Sequence, residues 1–317
     1  MTQLIAASAE SVARAAEILR GGGVVAFPTE TVYGLGAAAH LPQAVARIYA
    51  AKGRPSFNPL IAHVNSVEAA QREAVLPAAA LRLARAFWPG PLTLVALAAA
   101  DGGVCDLARA GLASIALRVP AHETAQALIA ALGAPIVAPS ANRSGHVSPV
   151  TAEHVAQDLD GRADLILDGG RATAGLESTI VSFLGAAPVL LRPGALSREA
   201  LEEALGGRLA APADAGVVAP GMTVSHYAPR ARLRLAATEV EQGEAALDFG
   251  GRLAAAPDTL RLDLSPRGDL VEAAANLYAH LRALDAQDCA RIAVAPIPAT
   301  GLGEAINDRL RRAASPR

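Results

Sequence analysis

Lysine is almost absent from this chain of 317 residues: of its 28 basic residues, only Lys52 is a lysine and the others are arginines. An ammonium group is compact and strongly hydrated, whereas a guanidinium is a flat fork, so the two are not interchangeable where geometry matters. The one remaining lysine therefore suggests a site that requires an ammonium group. Retention of a single lysine by chance is the alternative.

Cysteine, aromatic residues and excess charge are scarce as well. The two cysteines exclude a disulfide scaffold and a four-thiolate zinc site. Aromatic residues make up 3 % of the chain and its formal net charge is −2, which argues against a broad RNA-binding surface. No apolar run approaches the length of a membrane span and no signal peptide is visible, so we expect a cytoplasmic protein.

Helical and strand patterns alternate along the chain, which is typical of an α/β fold. Helices are predicted at 8–20, 42–51, 78–87, 123–132, 151–159, 197–205, 269–284 and 303–314. Strands are predicted at 24–27, 92–97, 115–119, 135–138, 165–167, 178–183, 189–191, 233–236 and 291–297. The pattern predicts a large domain at 1–206, a linker at 207–231 and a small α/β domain at 232–317.

Several common sites are missing from the sequence. No glycine-rich P-loop is present, because the only lysine follows Ala51. Gly34 and Gly36 imitate a dinucleotide-binding fingerprint, but no acidic residue stands about twenty positions further on. We therefore interpret these glycines as turn residues. The seven histidines form no H-x-x-x-H pair, which argues against a catalytic zinc site.

Polar side chains interrupt segments that are otherwise apolar. In an extended segment Thr29, Thr31 and Tyr33 lie on one face, because alternate residues of a strand share a face. Ser114 and Arg118 likewise share one face of a later strand. A guanidinium in mid-strand beside small side chains suggests an anion-binding groove, with a solvated edge-strand arginine as the alternative.

Two polar loops extend this pattern. Ser140 and Asn142 follow a strand end, where hydroxyl and amide groups suit phosphate oxygens or hydrated magnesium, although a simple Ser/Asn turn is the alternative. Lys52 ends a predicted helix and leads into a proline-braced loop with Arg54 and Asn58. These three side chains could gather phosphate charge, whereas the helix dipole alone would also favour a lysine at this end.

Seven segments together resemble the YrdC-like threonylcarbamoyl-AMP synthase family, and they occur in the order typical of that family. They are FPTETVYGLG at 27–36, KGRP at 52–55, NPL at 58–60, FWPGPLT at 87–93, LRVP at 117–120, APSAN at 138–142 and LRPG at 191–194. PGMTVSHYAP at 220–229 and GLGEAINDRL at 301–310 resemble the two-domain form. The linker departs from the family pattern at 223–225, where Thr-Val-Ser replaces a commonly basic residue.

The resemblance implies a twisted mixed sheet with helices around a concave cavity, followed by a small Rossmann-like domain. It implies that L-threonine, bicarbonate and ATP give L-threonylcarbamoyl-AMP and pyrophosphate, a nucleotidyl transfer. Mg²⁺ would be held by phosphates and water without direct protein ligands. A separate transferase complex would then modify N6 of adenosine 37 in tRNAs that read codons beginning with A, and direct tRNA binding by this chain is not required.

The resemblance also implies which residues form the site. The residues predicted to be catalytic, around the nucleotide phosphates, are Lys52, Arg54, Ser140 and Asn142. Those predicted to bind L-threonine are Thr31, His63, Arg118, Ala138 and Ser178, with the arginine pairing with the substrate carboxylate. Those predicted to bind ATP are Lys52, Arg54, Asn58, Ser114, Ser140, Asn142, Ser148, Arg192, His226 and Tyr227.

Two other functions are alternatives to this one. The first is carbamoyl transfer, as in hydrogenase-maturation proteins with a similar domain, but two cysteines cannot supply the zinc fingers of those proteins. The second is an RNA-binding module, which the near-neutral charge and scarce aromatic residues disfavour.

Overall fold

The computed structural model describes residues 1–212, 226–256, 258–287 and 289–315. In the described residues the strands are β1 (Gln3–Ala6), β2 (Val25–Phe27), β3 (Gly34–Ala38), β4 (Ile61–His63), β5 (Ala74–Val75), β6 (Leu92–Ala98), β7 (Ser114–Arg118), β8 (Ile136–Ala138), β9 (Leu165–Asp168), β10 (Thr179–Ser182), β11 (Val189–Arg192), β12 (Arg232–Arg234), β13 (Glu244–Asp248), β14 (Arg261–Asp263) and β15 (Arg291–Val294). The helices are α1 (Ala9–Arg20), α2 (Pro42–Lys52), α3 (Val67–Glu73), α4 (Ala78–Phe87), α5 (Glu123–Leu132), α6 (Ala152–Leu159), α7 (Arg198–Leu205), α8 (Leu270–Asp285) and α9 (Leu302–Ala314).

The strands form two sheets. The larger is a mixed sheet of 11 strands in the order β1-β9-β2-β3-β8-β4-β7-β6-β10-β11, with β5 paired to β6. The smaller is a parallel sheet of four strands in the order β12-β15-β13-β14, against which α8 and α9 pack. The predicted α/β class, with a large mixed sheet and a smaller α/β part, is confirmed. Across the described ranges, no helix combines the length and the apolar character needed to cross a membrane.

The predicted helices begin and end within one residue of the observed ones. Their ends are capped: Ser8 and Ser11 form a capping box at the start of α1, and the Asp269 carboxylate accepts two backbone N–H groups at the start of α8. Gly53 ends α2 in the left-handed conformation that glycine adopts without steric penalty. The sequence analysis did not predict α3 or the strands β1, β3, β4, β5, β13 and β14.

The interpretation of Gly34 and Gly36 as turn residues is wrong, because both lie in β3. A Cβ atom on Gly36 would lie 2.7 Å from the Phe27 ring and 2.7 Å from a side-chain carbon of Ile136. The two glycines therefore let neighbouring strands and an aromatic ring approach each other closely.

One apolar cluster contains residues from both sheet-bearing parts of the chain. Leu176 and Val150 from the large-sheet part belong to the same buried cluster as Leu277 and Leu281 from α8. The large sheet lies within 3–192 and the small one within 232–294. The predicted domain boundaries stay a prediction, and residues 213–225 of the predicted linker lie outside the described residues.

Gly194 follows the end of β11 at a point where the backbone of another segment packs closely against it. A Cβ atom there would lie 2.4 Å from the backbone oxygen of Glu177 and 2.5 Å from the backbone carbon of Ser178. Because backbone cannot easily give way, Gly194→Ala is expected to lower the free energy of unfolding by about 1–3 kcal/mol. Gly185→Ala, at a position with open space around it, should stay within about 0.5 kcal/mol of wild type. Urea denaturation measures both, and equal midpoints would contradict this account of the packing.

Candidate active site

One cavity collects most of the predicted site residues and contains about 530 Å³ of space not filled by protein. Part of this space is open to solvent. The predicted residues that line it are Thr31, Arg54, His63, Arg118, Ala138, Ser140, Ser178, Arg192, His226 and Tyr227. The lining residues that the sequence analysis did not assign to the site are Thr29, Val32, Gly34, Ile61, Pro139 and Glu177.

Strand register brings one end of the cavity together. In the parallel pair β4–β7, His63 lies opposite Arg118, and in the antiparallel pair β4–β8, Ile61 lies opposite Ala138. Paired residues of neighbouring strands point to the same face of a sheet. Three short strands that are distant in sequence thus place a histidine, an arginine and a small apolar surface side by side.

Arg118 is buried and held in place from three directions. Its Nη1 donates to Thr31 Oγ1 at 2.8 Å, its Nε donates to the Gly90 carbonyl at 3.3 Å, and its Nη2 lies 2.6 Å from Glu30 Oε1. A guanidinium has five N–H donors, so donors remain for an incoming carboxylate. The alternative of a solvated edge-strand arginine does not apply, because Arg118 is only 4 % exposed.

His63 stands beside this arginine as a neutral imidazole. Burial, followed by the charge of Arg118, lowers the pKa of His63 to about 3. Its ring meets the Phe27 ring edge-on with 6.0 Å between centroids. The hydroxyl oxygens of Thr29 and Thr31 lie 2.8 Å apart on the same wall. This end of the cavity therefore offers one guanidinium, two hydroxyls and an uncharged ring, which suits a small zwitterion.

A second group of cations lines the other part of the cavity. Arg192 donates to the Ser178 carbonyl at 2.8 Å, and Ser178 Oγ lies 2.7 Å from Thr93 Oγ1. Arg54 donates through Nε to the Asn58 carbonyl at 3.1 Å and through Nη2 to Asn58 Oδ1 at 2.5 Å. Burial lowers the pKa of Arg54 to about 10 and also lowers the pKa of Arg192. Two arginines in low-dielectric surroundings form a strong attraction for phosphate.

Two residues of the predicted linker close the cavity. His226 and Tyr227 line it, and their ring centroids are 4.0 Å apart. Burial lowers the pKa of His226 to about 3, so its ring is neutral at ordinary pH. Its Nδ1 is buried without a hydrogen-bond partner among the described residues, and a buried polar atom of this kind indicates a ligand or water.

Lys52 lies behind the cavity wall. Its ammonium is 3 % exposed and donates to the Ser140 carbonyl at 2.5 Å and to the Asn142 carbonyl. Burial lowers the pKa of Lys52 well below its usual range, and the charge of Arg54 acts in the same direction. The single lysine thus holds the turn that presents Ser140 to the cavity. Direct contact between Lys52 and phosphate stays a prediction.

The four other predicted residues also lie outside the cavity lining. Asn58 accepts from Arg54, Asn142 donates to the carbonyls of its own turn, and Ser148 donates to Glu177 at 2.6 Å. Asn58 and Ser148 thus support residues of the wall, and Asn142 stabilises its own turn. Ser114 lies four residues before Arg118 on β7, about 13 Å along the strand, and does not line the cavity.

The structure differs from the sequence-based expectation at three further residues. Tyr33 does not share the wall with Thr29, because its hydroxyl donates to the Gly170 carbonyl at 2.6 Å within the core. Glu30, which contacts Arg118, and the buried Glu177, which lines the cavity, are acids of the site that the sequence did not single out. In the sequence, only the position of these two acids within or beside polar segments indicated them.

The burial of Lys52 can be tested directly because the chain has no other lysine. We expect an N-hydroxysuccinimide ester to label the N-terminal amine of the folded protein and to leave Lys52 unlabelled, since its ammonium is enclosed. Labelling of Lys52 should appear in denaturing urea. Peptide mass spectrometry measures both. Rapid labelling in the folded state, blocked by ATP, would instead place the ammonium on the open cavity wall.

Comparisons with known proteins match two family models to this chain and find relatives that cover nearly all of it. A family model described as "Telomere recombination" matches residues 17–194, and one described as "Threonylcarbamoyl-AMP synthase, C-terminal domain" matches residues 196–315. The Threonylcarbamoyl-AMP synthase of Bacillus subtilis is 40 % identical over all of this chain and 96 % of its own length. The Threonylcarbamoyl-AMP synthase of Pyrococcus abyssi is 42 % identical over 94 % of this chain and 92 % of its own length.

A solved structure is similar over nearly the whole chain. The crystal structure of P. abyssi Sua5 complexed with L-threonine has a TM-score of 0.88 and 37 % identity, with 99 % of this chain and 97 % of that chain covered. The resemblance carried by the seven sequence segments is confirmed. This chain belongs to the threonylcarbamoyl-AMP synthase family, and it is an enzyme of that family.

Proposed function

We propose that this chain condenses L-threonine, bicarbonate and ATP into L-threonylcarbamoyl-AMP and pyrophosphate within the cavity described above. The observation that carries the proposal is the division of the cavity into two anion-binding parts. Arg118, with the threonine hydroxyls and His63, fits an amino acid. Arg54 and Arg192, near the linker residue His226, fit a nucleotide triphosphate.

The amino-acid part matches L-threonine in charge and shape. Arg118 would pair with the substrate carboxylate, because a guanidinium and a carboxylate form two parallel hydrogen bonds. Ala138 and Ile61 give the apolar contact that a methyl group needs. Thr31 and Ser178 are hydroxyls within the same cavity that could hydrogen-bond the substrate. L-threonine in the related P. abyssi structure supports this assignment.

The reaction needs positioning more than acid–base catalysis. The neutral amine of threonine attacks the carbon of bicarbonate, and water leaves to give a carbamate. A carbamate oxygen then attacks the α-phosphorus of ATP, and the bond to the β-phosphate oxygen breaks to release pyrophosphate. Buried guanidiniums that face the triphosphate would stabilise the charge that develops, in surroundings where such stabilisation is strong. Arg54 and Arg192 are the residues that we assign to this role.

Mg²⁺ would enter as part of the nucleotide substrate. The described residues contain no cluster of three or more His, Cys, Asp or Glu side chains that could hold a metal ion. The carboxylates near the cavity are occupied: Glu30 contacts Arg118, and Glu177 accepts from Ser148 and two further side chains. The donor set therefore fits a metal that is bound by phosphate oxygens and water, and it does not fit a resident metal.

The product would serve a separate transferase that modifies adenosine 37 of tRNA. The chemistry supports such a partner, because a carbamoyl phosphate anhydride is an activated acyl donor for an amine. No described feature of this chain requires that it bind tRNA itself.

Pyrophosphate release tests the proposed activity. With MgATP present, we expect release only when L-threonine and bicarbonate are both added, because the carbamate is the nucleophile. A coupled phosphate assay after pyrophosphatase treatment measures this, and omission of each component is the control. Release that is independent of threonine would contradict the proposal.

The two arginines should affect different substrates. Arg118→Met is expected to raise the KM for L-threonine by about 10–100-fold, as expected for loss of a charged hydrogen bond, and to change the KM for ATP far less. Arg192→Met should do the reverse. Arg85→Met, at an exposed position of α4, is the matched control and should leave both KM values unchanged. Equal effects of the two arginine variants on both substrates would contradict the division of the cavity.

A further inference from the structure

One buried carboxylate joins three parts of the chain behind the nucleotide part of the cavity. Glu177 is 6 % exposed, and its Oε1 accepts from Ser148 Oγ at 2.6 Å. Its Oε2 accepts from the Tyr278 hydroxyl at 2.7 Å and from Arg309 Nε at 2.8 Å. Tyr278 lies on α8 and Arg309 on α9. A carboxylate of the large-sheet part is therefore held by both helices of the C-terminal part.

Arg309 also contacts the chain beyond Glu177. Its Nη2 donates to the Pro193 carbonyl at 2.9 Å, so one guanidinium holds the residue before Ser178 and the residue after Arg192. Its side chain is only 1 % exposed. Both segments that carry these site residues are thus fixed by one side chain from α9.

The same guanidinium supports the linker. Its central carbon lies 5.0 Å from the centroid of the Tyr227 ring, which is within the range of a cation–π contact. The Tyr227 ring in turn stacks on the Tyr278 ring with 5.8 Å between centroids. Arg309 therefore contacts the wall and the cover of the cavity without lining it.

The negative charge of Glu177 explains why the contact with Arg309 matters for nucleotide binding. Among the described residues that line the cavity, Glu177 is the only carboxylate. Burial raises the pKa of Glu177, but Arg309, and after it Arg192, outweigh burial and lower the pKa to about 2, so the group is ionised. Without Arg309, Glu177 would lose its ion-pair partner, and a carboxylate compensated only by Arg192 would lie beside the space assigned to the triphosphate. Like charges repel strongly in such poorly screened surroundings.

We propose that Arg309 of the C-terminal part is a positioning residue for the nucleotide, which neutralises Glu177 and fixes the segments on either side of it so that the cavity attracts a triphosphate. The inference rests on the proposed function and extends it, because it gives the small domain a part in ATP binding. Arg309 acts through Glu177 and touches no substrate.

A charge-rescue experiment tests this role. The probe is α,β-methylene-ATP, which cannot be cleaved at the reacting bond, and calorimetry measures its Kd. We expect Arg309→Met to weaken binding about tenfold or more. Combining it with Glu177→Gln removes the unpaired charge and should restore binding to within about threefold of wild type. A double variant that binds no more tightly than Arg309→Met would overturn the proposal.

Two further variants distinguish the loss of a positive charge at position 309 from a general loosening of the contacts that α9 makes. Arg198→Met breaks a half-exposed ion pair of 2.6 Å between Arg198 and Glu304, which joins α7 to the same helix α9 away from the cavity. It should bind the analogue like wild type, and a loss equal to that of Arg309→Met would contradict the proposal. Arg309→Lys keeps the positive charge but loses the fork that reaches both Glu177 and the Pro193 carbonyl, so it should bind the analogue more tightly than Arg309→Met and less tightly than wild type. An Arg309→Lys variant that binds no more tightly than Arg309→Met would contradict the charge argument.

Measurements on the wild-type protein distinguish a failure of this inference from a failure of the proposed function. Wild-type protein that releases pyrophosphate and binds the analogue, together with an Arg309→Met variant that binds equally well, contradicts the inference alone. Wild-type protein that does not bind the analogue contradicts both. Circular dichroism of each variant shows that the protein being titrated is folded.

Discussion

The burial of several cations around one cavity is the constraint on which the rest of this structure depends. Arg54, Arg118, Arg192 and Lys52 are each less than a tenth exposed, in a chain whose formal net charge is −2. A buried charge is costly unless it is hydrogen-bonded or paired. Here backbone carbonyls of turns, together with the carboxylate of Glu30, take that role. The loops that supply those carbonyls are consequently fixed in the positions that shape the cavity.

This arrangement explains why the site needs few acid–base groups. The buried imidazoles of His63 and His226 are neutral, since burial lowers the pKa of each to about 3. The cavity therefore presents fixed positive charge and neutral hydrogen-bonding groups. Such surroundings favour binding and alignment of two anionic substrates over proton transfer by the protein. The proposed reaction is the attack of a carbamate on a phosphate, and it requires a site of this kind.

The sequence predicted much of the fold and most of the cavity lining, for reasons that are local. Helix periodicity and capping residues such as Ser8 and Asp269 define helix ends within a residue. The failures concern contacts between distant segments. Gly36 is a strand residue at which a side chain would clash with the Phe27 ring, and no local pattern shows that ring. The position of Lys52 behind the wall depends on carbonyls some ninety residues away. The Glu177–Arg309 pair spans an even longer separation and joins the large-sheet part of the chain to α9.

The central claim is that one cavity holds an amino acid and a triphosphate at different arginines. A crystal structure with L-threonine and α,β-methylene-ATP bound together measures this most directly. The account predicts the threonine carboxylate on Arg118 and the triphosphate against Arg54 and Arg192, with the amine directed toward the α-phosphate. A triphosphate on Arg118, or a nucleotide bound outside this cavity, would contradict it.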